Sequence, residues 1–85
     1  MKNKEIIARA AVSAGVLTAD QAAEMVERDE DIPFHTLQGW KLRGAYKVKR
    51  GEVGTEVKLW RKKEDGSGFY LAKAYLYSKD QIEQE

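Results

Sequence analysis

Two stretches of this chain alternate aromatic residues with lysine: 57–62 reads VKLWRK, and 69–77 reads FYLAKAYLY. That alternation is what single-stranded nucleic acid requires of a surface, because bases stack on flat side chains and the phosphates between them need cations. On an extended chain successive side chains point to opposite faces. One face therefore collects Lys47, Lys49, Lys58, Trp60, Lys62, Phe69, Leu71, Lys73, Tyr75 and Tyr77. The opposite face collects Tyr46, Val48, Val57, Leu59, Tyr70, Ala72, Ala74 and Leu76, with alanines small enough for helices to approach. The predicted nucleic-acid-binding residues are Lys47, Lys49, Arg50, Lys58, Trp60, Lys62, Lys73, Tyr75 and Arg43. In that set Lys47, Lys49, Arg50, Lys58 and Lys62 contact phosphate, while Trp60 and Tyr75 stack bases. Trp40 and Tyr46 fall on the inward side of their elements and are predicted core.

Other chemistry finds little to work with. The chain has no cysteine and one histidine, His35, so a metal site would need carboxylates almost alone. No nucleophile, base and orienting group recur in a catalytic pattern, and neither an enzyme nor a cofactor is expected. The glycines at 51 and 54 serve a loop between strands, and Lys49 and Arg50 beside them can also touch a phosphate.

Net charge is only +1 over 85 residues, but it is unevenly distributed. Residues 1–35 carry 4 basic and 7 acidic side chains, residues 36–63 carry 9 and 2, and residues 64–85 carry 2 and 5. The central third therefore holds a positive field that can steer an anionic partner. No apolar run approaches the roughly 20 residues that span a bilayer, and no signal-peptide core opens the chain, so no membrane partner and a cytoplasmic location are expected.

The elements that must position these residues follow from spacing and breakers. A single domain over 1–85 is expected, with a helical part over 1–35 and a short helix plus three strands over 36–85. Asn3 is the predicted cap of a first helix ended by Gly15, and Thr18 with Gln21 forms a capping box for a second. Glu27 to Asp31 reads as a solvated helix end and linker, closed by Pro33. Thr36 caps a short helix stopped by Gly44. Strands are predicted at Ala45–Val48, Thr55–Lys62 and Phe69–Tyr77, with a turn at EDGSG between the last two. Ser78 with Gln81 predicts a short C-terminal helix. The fold class is α+β: N-terminal helices on one face of a three-stranded antiparallel meander, with a short C-terminal helix.

From Thr36 to Gln81 the residues take a familiar order: a Thr-x-x-x-Trp helix, Gly44, VKRGEVGTEVKLW, and a tyrosine-rich strand running into YLYSKDQIE. This order resembles the N-terminal domain of ArdC-type antirestriction proteins, which also occurs in polyvalent proteins of phages and conjugative mobile elements. The matched core is Val48 to Trp60, with Lys49, Gly51, Glu52, Gly54 and Thr55. The resemblance implies an α+β domain that binds single-stranded DNA without marked sequence preference and protects incoming DNA. It implies no protease activity, because the HExxH motif of the domain that follows in full-length relatives is absent. RNA remains a chemical alternative to DNA. The alternative function is a protein-interaction or nuclease-inhibitor module using the same aromatic face, since Trp, Tyr and Arg also dominate protein interfaces. A duplex-reading winged helix is disfavoured, because the third helix is short and poor in base-reading residues.

Overall fold

The computed structural model describes residues 2–85. Two helices, α1 (Asn3–Ser13) and α2 (Ala19–Glu27), precede a two-residue strand β1 (Phe34–His35) and a short helix α3 (Leu37–Lys41). Strands β2 (Tyr46–Val48), β3 (Thr55–Lys62) and β4 (Phe69–Ser78) follow. A single 3-10 turn, Lys79–Gln81, leads into the last strand, β5 (Ile82–Gln84).

The helix ends are governed by local hydrogen bonds. At the start of α2, Thr18 Oγ1 accepts from the Gln21 N–H at 3.1 Å, and Gln21 Oε1 accepts from the Thr18 N–H at 2.9 Å. Gly15, at φ 76°, reverses the chain after α1, so that the Val16 N–H reaches back to the Ala11 carbonyl. Asp29 does the same after α2 at φ 54°, a conformation that asparagine and aspartate tolerate better than other side chains. Asn3, expected to cap α1, lies inside that helix; Lys2 occupies the cap position and Asn3 is used elsewhere.

The fold is α+β with a three-stranded antiparallel sheet, ordered β1-β4-β3, but that sheet is not the expected meander. Its third member is β1, with Phe34 opposite Ser78 and His35 opposite Tyr77. The strand predicted at Ala45–Val48 leaves the sheet as β2 and pairs with β5 in a separate ribbon, Val48 opposite Ile82 and Tyr46 opposite Gln84. The expected C-terminal helix is likewise corrected: after Ser78 the chain makes one 3-10 turn and then extends. Gln81 directs both outcomes. Its Oε1 accepts from the Ser78 N–H at 2.9 Å, its Nε2 donates to the Val53 carbonyl at 2.8 Å, and its carbonyl accepts from the Lys49 N–H at 2.9 Å. The 49–54 loop is thus tied to the C-terminal segment instead of closing a β2–β3 hairpin.

The main core joins Ala8 and Ala11 of α1, Ala22 of α2, Ile32, Phe34 and Leu76, with Val57 and Leu59 packed against it. Phe34 and Leu76 are fully buried, each contributing about 1.5–3 kcal/mol of transfer free energy. A second cluster forms where α3 meets the ribbon. Trp40 is buried, its Nε1–H donates to the Tyr77 carbonyl at 2.8 Å, and its ring meets His35 and Tyr46 edge-on at 4.8 and 5.5 Å.

Candidate nucleic-acid interface

The β3–β4 register determines which side chains share a surface. Val57 lies opposite Ala74 and Leu59 opposite Ala72; Val57 and Leu59 pack against the main core, and the two alanines share their side of the sheet. Glu56 opposite Tyr75, Lys58 opposite Lys73, Trp60 opposite Leu71 and Lys62 opposite Phe69 lie on the other side. All eight of these side chains are exposed, Trp60 at 39% and Phe69 at 65%. Trp60, Leu71 and Phe69 are adjacent on this face, with Tyr75 beyond the next level, and together they are more than a scatter of single surface hydrophobes.

At the centre of the face two lysines stand directly opposite one another. Lys58 and Lys73 are register partners, an arrangement that destabilises a sheet unless an anion lies near. Glu56 relieves part of that repulsion, 3.7 Å from Lys73 Nζ, and it also accepts a hydrogen bond from the Tyr75 hydroxyl at 3.3 Å. Along the strands, the Trp60–Leu71 level and the Glu56–Tyr75 level stand about 13 Å apart, with the lysine pair midway. A groove of about 810 Å³ borders this face, lined by Trp60, Lys73, Tyr75 and Tyr77 from the sheet and by Leu37 and Leu42 around α3. Leu42 is 80% exposed.

Of the predicted site residues, Lys58, Trp60, Lys62, Lys73 and Tyr75 come together here. Lys47 sits on β2 and Lys49 and Arg50 follow it, so these three exposed cations belong to the ribbon and its loop rather than to this face. Their shared parity with Lys58 has no meaning once β2 leaves the sheet. Arg43 is committed within the fold. Its Nε and Nη2 bind the two oxygens of Asp31 at 3.2 and 2.9 Å, and its Nη1 donates to the Gly39 carbonyl at 2.8 Å. The 27–31 run is solvated as expected, and two of its exposed carboxylates also make ion pairs within the fold: Asp31 with Arg43, and Asp29 with Lys4 at 2.8 Å.

His35 belongs to the same cluster. Burial pushes its pKa below the usual histidine value and the nearby Arg43 guanidinium adds to that, while Asp31 pulls the other way. Its Nε2 is 3.3 Å from Asp31 Oδ2 but poorly aligned for a hydrogen bond. The Arg43 hydrogen bond holds the Asp31 carboxyl below its ordinary range.

Sequence reasoning passed over two residues. Glu56 shares the parity of Lys58 and Trp60, so its place on the face was readable, but an acidic residue did not fit a search for cations. Asn3, the expected cap of α1, is the other. Its amide instead holds the edge of β3, donating to the Trp60 carbonyl at 3.0 Å and accepting from the Trp60 N–H at 2.7 Å. That clamp fixes the backbone from which the exposed indole projects.

Among the described residues no group of three His, Asp or Glu side chains is spaced to hold a metal ion, and no helix is long and apolar enough to cross a membrane. Comparison of the chain with protein-family models, curated proteins and solved structures finds no match.

Proposed function

We propose that the β3–β4 face binds single-stranded nucleic acid, with single-stranded DNA as the ligand that the ArdC-type resemblance favours. The observation that carries this reading is the opposed Lys58–Lys73 pair flanked by exposed Trp60 on one side and Tyr75 on the other. A phosphate between the two ammonium groups relieves their repulsion, and the flanking aromatics take the bases on either side. Lys62 extends the cationic track toward Phe69. Stacking on two aromatics contributes about 2–6 kcal/mol, which suggests affinity no tighter than micromolar for this module alone. An antirestriction role in a phage or mobile element, acting in the cytoplasm without catalysis or a cofactor, is the biological setting consistent with that activity.

The test is a fluorescence titration with a mixed-sequence single strand at low salt. Trp40 is 6% exposed, so quenching by stacked bases reports on Trp60. Trp60→Ala should weaken binding by about 1–3 kcal/mol, read from anisotropy of a labelled strand. Absence of binding at low salt, or binding indifferent to salt, refutes the proposal. The exposed Leu42 at the rim of the groove favours a second reading, a protein-interaction module. In that case a partner is captured from lysate equally well before and after nuclease treatment.

A further inference from the structure

We infer that Glu56 gives this face a base preference, favouring cytosine over thymine or uracil at the position stacked on Tyr75. The inference rests on the proposed nucleic-acid reading. Glu56 and Tyr75 are direct cross-strand partners, and the carboxylate accepts from the Tyr75 hydroxyl at 3.3 Å, which holds it at the margin of the ring a base would cover. Its Oε1 also takes the contact to Lys73 at 3.7 Å, leaving Oε2 without a hydrogen-bond partner among the described residues. Glu56 is more than half exposed, so a base edge can approach its carboxylate.

An ionised carboxylate can only accept hydrogen bonds. Cytosine presents an amino donor at N4, the group with which glutamate and aspartate pair in base recognition. Thymine and uracil place a carbonyl acceptor at the same position, so a carboxylate there meets oxygen with oxygen and repels it. Lys73 beside Glu56 supplies the complementary donor for the ring acceptors of cytosine. The two pyrimidines have similar ring size and stacking face, so their comparison isolates this polar contact from stacking on Tyr75. A negative charge on a surface that binds a polyanion lowers overall affinity, and discrimination between bases is a benefit that offsets that loss.

The test is competition between oligo-dC and oligo-dT of equal length at mildly alkaline pH and low salt, on the native chain and on Glu56→Gln. The variant keeps an acceptor for Tyr75 and loses the charge, so it should bind both strands more tightly. The readout is the ratio of the two affinities, which a uniform electrostatic gain leaves untouched. The expected ratio is about three- to tenfold in favour of oligo-dC for the native chain, collapsing toward unity in Glu56→Gln. Equal binding of the two strands by the native chain overturns the inference and leaves the nucleic-acid reading standing. A preference that survives Glu56→Gln overturns it as well, and no binding to either strand at low salt overturns both.

Discussion

The salt dependence of binding discriminates between two surfaces on this molecule. Single-strand binding loses affinity with a log–log slope of about −0.7 per phosphate neutralised. The β3–β4 face offers three lysines, Lys58, Lys62 and Lys73. Engagement of all three gives a slope of about −2, so raising monovalent salt from about 50 to about 200 mM should weaken binding about 16-fold. If the ligand also ran over the ribbon and its loop, Lys47, Lys49 and Arg50 would double the count, giving a slope of about −4 and a loss of more than about 200-fold over the same range. The assay is anisotropy of a labelled oligonucleotide at four or more salt concentrations, repeated on Lys58→Gln, for which the slope should become shallower by about 0.7. A native slope near −4 refutes confinement of the site to this face, and a Lys58→Gln slope unchanged from the native one refutes its placement there. The Glu56 carboxylate next to Lys73 makes about −2 an upper limit in magnitude, since that lysine already holds a partial counterion.

Three further outcomes follow from the packing. A Cβ on Gly54 would lie 2.8 Å from Tyr75 Cβ and 2.8 Å from Tyr77 Cζ, so Gly54→Ala should cost about 1–3 kcal/mol and lower the thermal midpoint by several degrees. Asn3→Ala removes both hydrogen bonds to Trp60 and should cost about 1–2 kcal/mol in urea unfolding, while Asn3→Asp recovers at most part of this, because a carboxylate cannot donate to the Trp60 carbonyl. His35 resists protonation in the folded chain whereas the unfolded chain takes up a proton near pH 6.5. The unfolded state therefore binds more protons below that pH, and stability should be complete above about pH 6.5 and fall as pH drops toward 5. Denaturation midpoints across this window should decline for the native chain and flatten for His35→Gln; Asp31, with its lowered pKa, contributes its own loss only nearer its unfolded value of 3.8.

What was legible in the sequence was local. The alternation in 55–62 and 69–77 gave β3 with its bounds and β4 to within a residue, and it correctly separated Val57 and Leu59 from Lys58 and Trp60. Thr18 with Gln21 and Thr36 marked two helix starts through hydrogen bonds that span three residues. What was not legible depended on distant partners. Phe34 and His35 form a strand only because Tyr77 and Ser78 lie alongside, and two residues after a proline carry no periodicity to read. Ile82 pairs with Val48 across 34 positions, where a hairpin through Gly51 was the nearer solution. Arg43 looked like one more cation of a basic region, since nothing local reveals that Asp31, twelve residues earlier, folds back onto it.

The Asn3 clamp also bears on the unpaired edge of β3. β3 has a strand neighbour on one side only, and its free side exposes peptide groups that another chain could pair with. Asn3 places a side-chain amide against Trp60 in the manner of a peptide group from an adjacent strand, so the middle of that edge is already satisfied. Lys58 and Lys62 on either side put like charges at any junction with a second β3. Fibrous aggregation through the free edge of β3 is the hazard that loss of Asn3 would expose.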